Sequence, residues 1–297
     1  MYANPSTGFL DQVKLFFGKK SALPRLILIN VVIFVIGYLI HLVLWLYKAD
    51  GGTGIPMLTD WLAVPSSLDR LRLKPWTLFS YMFFHEDFFH LLFNMITLYF
   101  GGTIFLRYLN ERQLIWTYLT GGLAGAVFYI VAYNFFPVFL EANPFAIALG
   151  ASASVLSVMI AVATYVPRYK VNLLFLGPIR LQYLAVFFIL LDIFSIKSDN
   201  PGGHIAHLGG AAWGILYAIV LRNGKDLYPT FSRKRLRVKH SKNMGERKSR
   251  PLTDDEYNKK KNEDQQQIDQ ILDKISRSGY DSLTDKEKAI LFSNSRK

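Results

Sequence analysis

The sequence predicts an all-α, polytopic membrane protein: six transmembrane helices, with interfacial helices in the first outer loop. Three observations predict it. Hydrophobic residues make up 51% and aromatic ones 15% of the 297 residues, and mean hydropathy is +0.21; a soluble domain carries less. Six apolar stretches recur, at 25–47, 87–107, 113–136, 150–166, 181–196 and 204–222. Lys and Arg gather on alternate connections between them. Cysteine is absent, which excludes disulfides and thiol catalysis.

Taken in order, residues 1–24 are a polar, basic segment without the small-residue cleavage site of a signal peptide. Lys14, Lys19, Lys20 and Arg25 precede the first span. The segment 48–85 carries Lys48, Arg70, Arg72 and Lys74 on what the alternation makes the outer side. Its Trp61, Pro65, Leu68, Leu71, Leu73 and Trp76 read as helical pieces lying in the interface; a plain solvated loop is the alternative. Arg107 and Arg112 separate spans 2 and 3, whereas 137–149 has no Lys or Arg and ends in a stretch apolar enough to dip inward.

Span 4 opens at Gly150 and is stopped by Pro167, short of the ~20 residues a full crossing needs. Its N-terminus is therefore expected below the outer surface, where irregular backbone requires surrounding protein or a wet cavity. Arg168, Lys170 and Arg180 follow it, and only Lys197 lies between spans 5 and 6. Span 5 is also short, carries Phe187 and Phe188, and reads as a lateral gate. A basic run from Arg233 to Lys248 follows span 6. Both termini are thus predicted to be cytoplasmic. The expected organisation is an N-terminal segment 1–24, a membrane domain 25–222, a basic linker 223–250 and a helical cytoplasmic module 251–297.

Polar residues interrupt three spans that run in the same direction. His90 and Asn94 lie near the start of span 2, Ser152 at the start of span 4 and His207 near the start of span 6. At 1.5 Å per residue all four fall in the outer leaflet, and ionisable groups at that depth mark function. A serine hydroxyl becomes a nucleophile when a base takes its proton, and histidine is the usual base. Ser152 and His207 form such a pair. The oxyanion that results needs donors. Ser152 at a helix start can offer its own N–H, and His90 and Asn94, four apart, share one helix face.

Ser152 also reads as a packing residue, because span 4 is rich in small side chains and Gly210-Ala-Ala-Trp-Gly214 offers a matching face on span 6. The two readings are compatible, since close packing of these spans brings His207 to Ser152. Metal binding is a further alternative: His204 and His207 are i,i+3, with His85 or His90 opposite. His85-Glu-Asp-Phe-Phe-His90 departs from the zincin spacing, however, and no carboxylate is evidently placed to complete a site. The reading is a Ser–His dyad without an acid, no metal and no cofactor, with Asp192 an isolated polar contact or a water-facing carboxylate; a carboxylate that orients His207 is the alternative.

His85-x4-His90-x3-Asn94, Gly150-x-Ser152 and Ala206-His207-x2-Gly210-x3-Gly214 together resemble the signature of rhomboid intramembrane serine proteases, over roughly residues 25–222. The resemblance implies a six-helix bundle that cleaves transmembrane segments near their outward end. It makes Ser152 the nucleophile, His207 the base, and Asn94 and His90 oxyanion or site-shaping residues. Trp76 stands where the family has a Trp-Arg loop motif, but Thr77 replaces the arginine, so the loop must be held differently. Ala153 follows the serine in place of the usual glycine. Leu156 stands where several members set a tyrosine against the histidine, and Phe105 where an acidic residue often follows Gly101-Gly102.

Beyond the spans, the juxtamembrane basic run fits anionic lipid headgroups, and the absence of interleaved aromatics argues against nucleic acid. Ile268, Ile271, Leu272 and Ile275 have helical spacing, and Thr284-Asp-Lys-Glu287 is a capping box before Ile290 and Leu291. This module resembles one found on some bacterial rhomboids and either packs on itself or meets a cytoplasmic partner. The expected location is the bacterial cytoplasmic membrane. Two competing functions remain: a catalytically silent relative that binds transmembrane helices, and a transporter.

Overall fold

Among the described residues, six apolar helices carry the fold: α1 (Ala22–Leu46), α5 (Phe88–Tyr108), α6 (Glu111–Phe135), α7 (Ser152–Tyr165), α8 (Leu181–Ser195) and α9 (Pro201–Arg222). Between α1 and α5 come three short helices, α2 (Met57–Leu62), α3 (Leu68–Leu73) and α4 (Thr77–Ser80), and a 3-10 turn at Tyr81–Phe83. The structure is a computed structural model. It describes residues 16–18, 21–47, 57–173, 177–197, 200–228, 270–271, 273–275, 283–284 and 287–288. The chain divides into two units, Met1–Phe231 and Ser232–Lys297.

Among the described helices, α1, α5, α6 and α9 are long and apolar enough to cross a membrane by length and composition. The apolar α7 and α8 have 14 and 15 residues, or roughly 21–23 Å. Large apolar side chains on the outer faces are exposed, among them Val35, Phe93, Phe135, Phe187 and Phe194. That inverts the pattern of a soluble bundle and suits a lipid solvent. α7 is the innermost helix: from Ala153 to Ala163 every residue is buried.

Each boundary has a local cause. Asp87 caps α5 by accepting from the His90 N–H at 2.8 Å. Asn110 and Gln113 form a reciprocal capping box at α6, each bond 3.0 Å. Asn200 accepts from the Gly203 N–H at 3.0 Å, and Pro201 takes the first position of α9, where its missing N–H costs nothing. That helix therefore starts three residues before the predicted 204.

The segment 48–85 is helical in pieces where described, as its apolar spacing predicts. Two strand pairs were not expected in an all-α reading. β1 (Val64–Pro65) pairs antiparallel with β2 (Ile147–Ala148), and β3 (Lys170–Leu173) with β4 (Gly177–Arg180). The first joins the loop after α1 to the segment that delivers Ser152. The loop is held without the missing arginine. Asp60 bonds Lys74 and Arg70, the latter at 2.5 Å, and Arg70 also reaches the Pro144 carbonyl at 3.2 Å. Hydrogen bonding from Lys74, and then from Arg70, lowers the Asp60 pKa against the opposing effect of partial burial. Trp76 stacks on Trp61 at 5.5 Å and donates to its carbonyl at 2.9 Å. Thr77 is fully buried and donates to the Lys74 carbonyl at 2.6 Å.

In the second unit the capping box is present: the Thr284 N–H donates to Glu287 at 2.7 Å, and the Glu287 N–H to Thr284 Oγ1 at 3.4 Å. Lys274 bonds Glu287 at 3.0 Å, and Ile271 and Leu283 are buried. Ile268, Leu272, Ile290, Leu291 and the basic run 233–250 lie outside the described residues.

Candidate active site

The segment before α7 is shaped around one glycine. Gly150 has φ +115°, a conformation L side chains rarely adopt. A Cβ there would also come within 2.6 Å of the His90 Cε1 and 2.9 Å of its Nε2. The imidazole of His90 therefore lies directly over the turn that leads into Ser152.

Two backbone donors in this turn already have partners. The Gly150 N–H donates to the Tyr81 carbonyl at 2.9 Å, and the Ala151 N–H to His85 Nε2 at 3.2 Å. The first residue of α7 is Ser152, and the first N–H groups of a helix have no acceptor within it. The Ser152 N–H is thus presented at the positive end of the helix dipole.

His85 was read from the sequence only as a motif position or metal ligand. It is buried, and its Nε2 also lies 3.3 Å from Asn94 Nδ2. Asn94 donates through the same nitrogen to the His90 carbonyl at 2.9 Å. The Asn94 amide is therefore engaged in holding His85 and its own helix, which favours its site-shaping role over a donor's. No spacing rule relates His85 to Ala151, 66 residues on.

Helices α7 and α9 meet through glycine. A Cβ on Gly210 would collide with the Ala153 carbonyl oxygen, and one on Gly214 would sit 2.5 Å from that of Ser157. Gly125 of α6 fits between Ala153 and the Ala206 carbonyl. The face predicted for span 6 therefore packs where expected, one residue from Ser152 and His207 on their respective helices. His90, Asn94, Ser152 and His207 all line one cavity of about 220 Å³, with Phe93, Thr97, Val155, Leu156 and Phe188. The four predicted site residues, from three helices, face one space. Phe188 of the predicted gate walls it, while Phe187 points outward and is exposed.

Two expectations need correction. Asp192 does not face water: it is 6% exposed, and its Oδ1 lies 2.8 Å from Nδ1 of both His207 and His204. A carboxylate is therefore placed beside the histidines after all, and the three ligand-capable groups lie within 4.8 Å of one another. The sequence analysis held this contact only as its alternative for Asp192, because it joins residues on different helices and nothing local selects it. Among the described residues, none hydrogen-bonds the Ser152 hydroxyl, and Asp192 is the hydrogen-bond partner of His207.

A serine, two histidines and an asparagine thus open onto one cavity among apolar helices. The rhomboid domain matches residues 72–224, more than half the chain, and the chain belongs to the rhomboid family. A protein family of unknown function matches residues 253–297. Similar proteins include RHOMBOID-like protein 12, mitochondrial, of Arabidopsis thaliana, 33% identical over 54% of this chain and 50% of that protein. Presenilin-associated rhomboid-like protein A, mitochondrial, of Danio rerio is 30% identical over 50% of this chain and 37% of its own length. The Rattus norvegicus presenilin-associated rhomboid-like protein, mitochondrial, is 27% identical over 46% and 35%. The chain thus spans half or less of these relatives. Their names place those proteins in mitochondria, which does not fit the expected bacterial membrane; what stands is an integral membrane protein.

Proposed function

We propose that this protein is an intramembrane serine protease acting on transmembrane segments near their outward-facing end. The observation that carries the reading is the single cavity onto which Ser152, His207, His90 and Asn94 open from three helices. Ser152 Oγ attacks the carbonyl carbon of the scissile bond while its proton passes to His207 Nε2. The tetrahedral oxyanion receives the Ser152 N–H and the His90 side chain, with Asn94 shaping the wall. Collapse expels the amine, which takes the proton back from His207, and a water then releases the acyl group by the same route. The nucleophile–base contact, not yet formed here, closes when substrate is bound.

The substrate follows from the site. A peptide bond inside an intact helix is screened by its own hydrogen bonds, so the segment must unwind where glycine or proline weakens it. Entry from the side of α8, past Phe188, suits a cavity set among helices. The orientation assigned has both termini on the cytoplasmic side. Anionic lipids beside the basic run and a cytoplasmic partner for the 251–297 module belong to the same proposal; nucleic acid does not.

Fluorophosphonate labelling in detergent tests the reading. The wild type should be labelled at Ser152 and should cleave a single-pass substrate after a small residue near its outer end. Ser152→Ala and His207→Ala should each abolish both while retaining the wild-type unfolding temperature. A folded wild type that binds transmembrane helices but never labels would instead be the silent relative.

A further inference from the structure

We infer that Asp192 completes a Ser152–His207–Asp192 relay, as the positioning residue that fixes the tautomer of the base and steadies its charged form. The inference rests on the protease reading above and adds to it an acid that the motif-bearing spans do not contain.

Four observations converge. Asp192 is the only ionisable side chain between Leu181 and Ser195 apart from the exposed Tyr183, and a buried carboxylate in an apolar helix is retained at a cost that calls for partners. It has them: Oδ1 is 2.8 Å from His207 Nδ1 and 2.8 Å from His204 Nδ1. A carboxylate oxygen only accepts, so both histidines carry their proton on Nδ1. His207 Nε2 is then the unprotonated nitrogen. Finally, Phe188, one turn before Asp192, lines the cavity that holds Ser152, so the same face of α8 serves the site.

The proton balance is that of a relay in which the acid never titrates. The Ser152 proton moves to His207 Nε2, the imidazolium forms, and the Asp192 carboxylate stabilises it through Nδ1–H without taking a proton. The proton leaves again from Nε2 to the departing amine. His204 lies edge-on to His207, 5.9 Å between ring centres, and donates to the same oxygen, so it holds the carboxylate in place. Leu156, with no polar atom to offer His207, makes that support the more necessary.

The test uses the full-length protein in detergent and reads the rate of fluorophosphonate labelling of Ser152 against pH. The groups facing His207 are Asp192 from α8, His204 on α9 itself, His90 from α5 and Ser152 from α7. Asp192→Asn should lower the plateau by roughly 10²–10⁴-fold, the range seen when such an acid is removed. It should also move the ascending limb to lower pH, because the imidazolium loses its counter-charge. His204→Ala should leave the limb near the wild-type position, and Asp192→Glu should restore part of the rate. An Asp192→Asn protein that folds, judged by its unfolding temperature, and labels with an unmoved limb overturns the relay, whatever its plateau. A chelator that changes wild-type labelling would show a metal on these three groups and overturn it too. If the wild type never labels or cleaves, the protease reading falls and takes the relay with it.

Discussion

Two polar contacts of His85 share one nitrogen. Its Nε2 accepts from the Ala151 N–H and lies against Asn94, so it must be unprotonated. Burial, and then the charge of His90, holds its pKa down at about 4, and the ring stays neutral near pH 7. The sign of the linkage follows. A histidine whose folded pKa lies below its ordinary value contributes stability that is complete above about pH 6.5 and is lost as pH falls toward 4. Removing the ring leaves a buried backbone N–H without an acceptor, worth about 1–3 kcal/mol. His85→Ala should therefore unfold earlier than the wild type at pH 7.5, and the gap should narrow at pH 5. A gap that is the same at both pH values in thermal melts would mean that neutral His85 is not what holds the turn. Because the turn ends at Ser152, the variant should also label more slowly.

At the scale of elements, the site depends on how closely α7 and α9 approach. The obstruction at Gly210 would be a backbone carbonyl, that of Ala153, which no rotamer change relieves. Gly210→Leu must push the helices apart, at about 1–3 kcal/mol for overpacking. His207 lies one turn away on α9, and a misplacement near 1 Å can cost about 10²-fold in rate. Fluorophosphonate labelling should fall by that order while the helical circular dichroism stays. Wild-type labelling in this variant would show that the close approach does not set the nucleophile–base geometry.

The same scale separates what the sequence made legible from what it did not. Helix positions were readable because apolar length and caps are local: α5 and α8 fall within a residue of their predicted bounds. The shared depth of His90, Asn94, Ser152 and His207 was readable because rise per residue converts spacing to depth. The pairing of Val64 with Ala148 was not, since strands of two residues have no periodicity to detect. Asp192 and His85 were visible as residues, but their partners lie on other helices or across a turn, and nothing local selects one rotamer. The replacement for the absent loop arginine was hidden for the same reason: Asp60 gathers Lys74 and Arg70 through three short helices whose packing is tertiary.

At the scale of the whole molecule, the question is what the last residues do. Every candidate site residue lies between His85 and His207, inside the unit Met1–Phe231. The tail unit satisfies some of its own needs: Lys274 pairs with Glu287, Thr284 and Glu287 cap each other, and Ile271 and Leu283 are buried. The Lys274–Glu287 and Thr284–Glu287 contacts within the tail argue for a small module with its own purpose rather than a missing wall of the active site, and its match to a separate family, over 253–297, points the same way. Deleting 251–297 should therefore leave fluorophosphonate labelling and cleavage of a small model substrate in detergent at the full-length rates. In cells the same deletion should change which proteins are cut or how long the enzyme persists, read by comparing membrane proteomes with and without the tail. A truncated protein that melts at the full-length temperature yet no longer cleaves the model substrate would show that the module couples to catalysis through the bundle, and would reject its independence.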